Sequence, residues 1–266
     1  VGALGWRDAF LWLGVLSVVA VLPLLVWTAR LRPGVPVAAG PDSGPHGVGG
    51  ANGAGGANGP SRLRTALSTP RIWLLFAVYA LCGFHDFFVA THIVAFALDH
   101  GMSAELSGNM LAFMGLMGLV GVLLTGAACD RLGPVRPAAA CFVLRIALFG
   151  AILVSQHTAV ILVVALLFGA TFWITAPLTV VFVRDGYGTA LLGTLAGMVT
   201  MVHHACGGLG AYVGAASFDL AGGYGPAFAI MLATSALALV LILALPRTRG
   251  ALPEAPAAPA VPTGER

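Results

Sequence analysis

Long apolar runs, broken by short clusters of glycine, proline and charge, make up most of this chain. A helix needs about 20 apolar residues to cross a bilayer core. Seven runs are that long, roughly 7–29, 71–98, 104–128, 137–155, 159–183, 190–218 and 226–245. The breaks carry turn chemistry: Asp99-His100-Gly101, Asp130-Arg131-Leu132-Gly133-Pro134, Ser155-Gln156-His157, Arg184-Asp185-Gly186 and Gly222-Gly223-Tyr224-Gly225. Residues 33–60 differ in kind, being rich in Gly and Pro and nearly free of large apolar side chains. Such a segment buries too little surface to offset its ordering entropy, and it reads as a flexible linker. The expected organisation is therefore a first spanning helix within 1–32, a linker over 33–70, a six-helix bundle over 71–249 and a disordered tail over 250–266.

Composition supports that pattern. Of 266 residues 59% are hydrophobic and 9% charged, whereas a soluble domain carries about 25% charged residues. This argues against a soluble enzyme, a nucleic-acid binder or a disordered scaffold; the fold class is all-α, a polytopic membrane protein. All 13 basic residues are Arg, which removes a Schiff-base lysine, a retinal linkage and a P-loop. Cys82, Cys129, Cys141 and Cys206 lie apart inside apolar runs and read as small core hydrophobes. With seven helices, eleven arginines fall on one side and Arg7 alone on the other. The positive-inside rule makes the linker and C-terminus cytoplasmic. An apolar helix that opens almost at Val1, with no charged leader before it, leads us to expect a fragment of a longer protein.

The loop Gly126-Ala127-Ala128-Cys129-Asp130-Arg131-Leu132-Gly133-Pro134-Val135-Arg136 resembles the G-x-x-x-D-R-x-G-R-[RK] signature of the major facilitator superfamily. Pro134 stands where that pattern has Arg. In the family the loop joins the second and third helices of each six-helix half, and it does so here for the six helices after the linker. Gly5-Trp6-Arg7-Asp8-Ala9-Phe10 resembles the start of the family's sixth helix. The stretch from Gly83 to His92 resembles the seventh helix of bacterial monocarboxylate-porter-like members, and 192–197 and 218–224 their eleventh helix and following loop. The resemblance implies a sixth helix, the central linker and the complete C-terminal bundle, with five N-terminal helices missing. It also implies a secondary carrier in the cell (inner) membrane, working by alternating access on a small organic anion such as a monocarboxylate, with proton or counter-substrate coupling. Its partners would be the lipid bilayer, that solute, protons and the missing helices.

Ionisable groups inside a span are costly and are candidates for function. His85, Asp86, Arg145, Trp173, His203 and His204 fall at similar depth along their helices, and His92 lies nearer the outer face, at an outer gate or interfacial water. His85 is expected to line the cavity or to bond a neighbouring helix. Asp86 is expected to couple protons or substrate, or to form an ion pair with Arg145. For His85 and Asp86 the argument is that imidazole titrates near neutrality and burial moves carboxylates toward it. Arg145 is the natural counter-charge for an organic anion, or else a structural partner of Asp130 or Asp86. Either His203 or His204 faces the cavity. His204 shares its stripe with Gly193, Gly197 and Gly208, suited to close packing, and His203 lies with Ala196, Thr200, Gly207 and Gly210. Gly126, Asp130, Arg131, Gly133 and Arg136 form a candidate conformational latch. No nucleophile motif or metal-ligand set stands out, so no catalysis, cofactor or metal is expected. The rival readings are a seven-helix receptor, a membrane enzyme and a non-transporting bundle.

Overall fold

The computed structural model describes residues 59–245, with side chains from Arg62, and eight helical, exposed positions between Leu11 and Pro23. The chain forms two compact units, residues 1–54 and 55–266. The expected tail at 250–266 and most of the expected first helix and linker lie outside the described residues.

All regular structure among the described residues is helical. The helices of the second unit are α1 (Gly59–Leu67), α2 (Pro70–Asp99), α3 (Ala104–Leu132), α4 (Val135–Val154), α5 (Thr158–Phe172), α6 (Thr175–Tyr187), α7 (Leu192–Ala221) and α8 (Gly225–Ala244). With α5 and α6 taken as one interrupted span, five segments are long and apolar enough to cross a membrane. The sixth, α7, matches them in length but, with its glycines and its His203-His204 pair, is not among those five. Local chemistry accounts for several ends. Ser103 caps α3 by accepting from the Leu106 N–H. Gly133 closes the same helix at φ 73°, ψ 168°, a region open essentially to glycine alone.

Two boundaries depart from the sequence reading. The linker expected to reach residue 70 gives way to α1 at Gly59, because 59–67 has the length of two helical turns and Pro60 suits a first turn. The run 159–183, read as one helix, is broken at Trp173-Ile174. Pro177 is the cause: it has no N–H for the Trp173 carbonyl, which instead takes a long 3.4 Å bond from the Ala176 N–H.

Helix α2 runs through the middle and presses most closely on α7, while α3 packs on α5 and α4 on α8. Glycines permit these approaches. A Cβ at Gly83 would fall on the His203 carbonyl, at Gly210 on that of Phe84, and at Gly121 on that of Ala170. The small face that packs is therefore that of Gly207, Gly210 and Gly214, the stripe of His203. Gly193, Gly197 and Gly208, on the His204 stripe expected to pack, face open space.

Apolar side chains collect in two layers. One holds Ile72, Leu75, Tyr79, Phe142, Leu178, Phe182, Leu195 and Ile242. The other holds Phe88, Phe96, Phe149, Ile161, Phe168, Phe228 and Met231. Each of the helices α2, α4 and α8 contributes to both layers, as does the interrupted span α5–α6, and each switches layer at one polar step: His85-Asp86, Arg145, Thr171 and Thr234-Ser235. A thin polar stratum thus lies between two greasy ones near mid-span.

Candidate functional site

Among the described residues Arg145 is the largest side chain with no exposure, and it organises this stratum. Its Nη2 donates to Asp86 Oδ1 at 2.6 Å and to the Thr171 carbonyl at 3.0 Å. Nε donates to Thr171 Oγ1 at 3.1 Å, and Nη1 reaches the Cys82 carbonyl and Sγ, both at 3.4 Å. Thr171 accepts from the guanidinium and passes its own hydroxyl proton to the Phe168 carbonyl at 2.8 Å. The Phe168 ring lies 4.7 Å from Arg145 Cζ. Every guanidinium nitrogen is engaged inside the protein. The break after Phe172 is what frees the Thr171 carbonyl for this role, since Thr175 begins a new helix.

Asp86 is as deeply buried, with a side chain 2% exposed. Its Oδ1 is held by Arg145. Its Oδ2 has weaker company: Cys82 Sγ at 3.6 Å and His203 Nε2 at 3.7 Å. The first is a poor donor and the second is beyond hydrogen-bond reach. Of the two partners the sequence left open for Arg145, Asp86 takes the bond and Asp130 does not.

A cavity of about 470 Å³ opens beside this pair. Its walls come from α2 (Tyr79, Asp86, Phe87, Ala90), the α5–α6 break (Phe172, Trp173, Thr175, Ala176, Thr179) and α7 (Thr200, His203, His204). Several wall protons are turned inward. Tyr79 Oη donates to the Thr175 carbonyl at 3.2 Å, Thr179 Oγ1 to the same carbonyl at 2.7 Å, and His204 Nδ1 bonds the Thr200 carbonyl at 2.8 Å. Trp173 is 55% exposed and rests its indole edge on Gly118 of α3.

The candidates separate accordingly. Asp86, Trp173, His203 and His204 reach the cavity, and Arg145 stands directly behind Asp86. His85 does not line it. The ring is fully buried, with Nε2 2.8 Å from Thr234 Oγ1 and 3.5 Å from Ser235 Oγ, on the side of α2 facing α8. A step of 100° along a helix puts neighbours His85 and Asp86 on different faces. His92, expected at an outer gate or at interfacial water, is bonded through Nε2 to the Ala211 carbonyl at 2.8 Å and packed on Gly214. Sequence reasoning missed Thr171, Cys82, Tyr79 and Thr179. A threonine two residues before Trp173 and six before Pro177 carried the available signal, because a proline exposes carbonyls upstream of it. Cys82, Asp86 and His203 offer ligand atoms within 4.8 Å of one another, and the Arg145 guanidinium is bonded to the first two.

The chain was compared with known proteins. Residues 1–211 match the family model described as Major Facilitator Superfamily. The chain belongs to that superfamily. It is 28% identical over 226 residues to the uncharacterized MFS-type transporter YcxA of Bacillus subtilis (strain 168), a match covering 83% of the chain and 52% of the relative. The chain thus spans about half the length of the curated relative it matches. In this superfamily member the loop of the expected latch sits at the α3–α4 junction. Asp130 and Arg131 are exposed at the end of α3, and Arg136 lies in the first turn of α4. No ion pair joins these three to one another among the described residues.

Proposed function

We propose that the chain is the C-terminal portion of a secondary carrier that moves a small solute across the cell (inner) membrane by alternating access. The linker and C-terminus are cytoplasmic in this reading, and the N-terminal helices supply the opposite wall of the solute site. The supporting observation is the buried Arg145–Asp86 pair at the back of a cavity near mid-span. A charge pair at that depth is expensive, and a cavity beside it has the size of a small-molecule site. Gly126, Asp130, Arg131, Gly133 and Arg136 form a latch that holds one orientation of the bundle and releases in the other.

The likeness to monocarboxylate-porter-like members favours a small organic anion, and buried Arg145 is the observation that fits it. On that reading an incoming carboxylate must take Nη2 from Asp86. A proton on Asp86 would permit the exchange and so tie anion movement to proton movement. His203, beside Oδ2, would hand on that proton, with His204 next to it at the cavity.

The test is uptake of labelled small solutes into inside-out and right-side-out vesicles from cells expressing the complete coding frame. Saturable, counter-flow-sensitive uptake lost in the double variant D86N/R145M is expected. Uptake equal to that of vesicles without the protein, across amines, polyols and carboxylates, would refute the carrier reading.

A further inference from the structure

The geometry points to a solute that presents a positively charged or donor-rich nitrogen to this half of the site, a small aromatic or apolar ammonium, and not a carboxylate. The inference rests on the carrier reading alone and replaces the organic anion with a solute of the opposite charge.

Three features lead there. The ion pair has a direction: Asp86 contributes to the cavity wall, whereas Arg145 has no exposure and does not. Seen from the cavity, the pair is a dipole with its negative end forward. The carboxylate also has spare capacity. Oδ2 has only the thiol at 3.6 Å and the imidazole at 3.7 Å, although an ionised carboxylate oxygen accepts two strong bonds. An ammonium N–H supplies the charge-assisted bond this oxygen lacks. A carboxylate arriving here would meet Oδ2 first, and every nitrogen of the guanidinium is already engaged.

The wall around Oδ2 continues the theme. With their protons on the Thr175 carbonyl, the Tyr79 and Thr179 hydroxyls of the wall are left as acceptors. His204, with Nδ1 on the Thr200 carbonyl, leaves Nε2 as an acceptor when the ring is neutral. Phe87, Phe172 and Trp173 stand around these acceptors, and aromatic faces attract cations. Among the described residues no Arg lines the cavity to offset them.

Benzylammonium and benzoate test the class directly, because at pH 7 they differ in charge and share a ring. The full chain in lipid nanodiscs is titrated with each labelled compound by equilibrium dialysis, with empty nanodiscs subtracted. Saturable benzylammonium binding is expected, with benzoate at background. D86N strands Arg145, so the companion is D86N/R145M, which removes both charges together; it weakens benzylammonium at least tenfold. Trp173 is largely exposed, and W173A, which leaves the core intact, weakens binding by about three- to tenfold. Benzoate binding that exceeds benzylammonium binding, or benzylammonium binding indifferent to D86N/R145M, overturns the inference. The two readings fail separately. Benzylammonium that binds as described but is never taken up by vesicles removes the carrier and leaves the class; benzoate that is carried removes the class and leaves the carrier.

Discussion

Removing Arg145 or Asp86 alone should be damaging, and removing both should be milder than either. In R145M the carboxylate remains at mid-span with a thiol and a distant imidazole for company. A lone charge at a helix centre costs about 2.5–3.5 kcal/mol on insertion scales. Breaking a buried pair by deleting one partner falls at about 3–5 kcal/mol. About 3 kcal/mol is thus the expected loss, well above the ~0.6 kcal/mol average of neutral interhelical bonds in membrane bundles. D86N leaves the guanidinium with Thr171, the Cys82 carbonyl, the Phe168 face and the new amide oxygen. Its cost should be about 3 kcal/mol as well, since four of the five acceptors persist but the buried guanidinium keeps a charge that nothing offsets and that it cannot shed. The neutral double variant loses hydrogen bonds and strands no charge, so it should recover about 2 kcal/mol relative to R145M. Graded SDS unfolding in mixed micelles, followed by circular dichroism, reads all four corners of the cycle. A double variant as unstable as R145M, or R145M as stable as the parent, would refute the argument that the pair is held together by burial.

Gly121→Ala should destabilise by about 1–3 kcal/mol, because its Cβ meets backbone at Ala170, while Gly126→Ala on the same helix faces open space and should be neutral or stabilising by up to about 1 kcal/mol; the same SDS titration compares them. At the helix ends, Gly133→Ala should cost about 1–3 kcal/mol and Gly222→Ala about 1 kcal/mol, since φ 73°, ψ 168° excludes a side chain that φ 69°, ψ 18° merely disfavours. Pro177→Ala returns an N–H to the Trp173 carbonyl. Hydrogen exchange across 173–178 should slow by about tenfold, one backbone hydrogen bond's worth, and unchanged exchange would show that the break has another cause.

The spanning helices were legible because twenty apolar residues in a row have few alternatives, and their ends because glycine and proline punctuate them. What those helices turn toward one another was not. A helix that is apolar all round carries no face in its periodicity, so His85 and Asp86 could be placed at one depth and about 100° apart, but not against the helices each one faces. On α7 both glycine stripes look alike in sequence. Only the arrival of Phe84, Phe87 and His92 against Gly207, Gly210 and Gly214 separates them. Arg145 was recognisable as a buried charge needing an acid. That its remaining donors end on Thr171 and Cys82 depends on a helix break whose cause, Pro177, was visible but whose freed carbonyl was not.

The ion pair also bears on how the protein is made. Asp86 and Arg145 are 59 residues apart, and at about 5–20 residues per second the ribosome needs roughly 3–12 s to cover that distance. During that interval α2 has left the tunnel carrying a carboxylate with no guanidinium within reach. Its release into lipid is therefore disfavoured until α4 emerges, and its tight seat against α7 waits longer still. Holding α2 at the margin of the insertion machinery until α4 emerges would spare a cost of about 2.5–3.5 kcal/mol, so the charge that marks the cavity in the finished protein also bears on the order of its assembly.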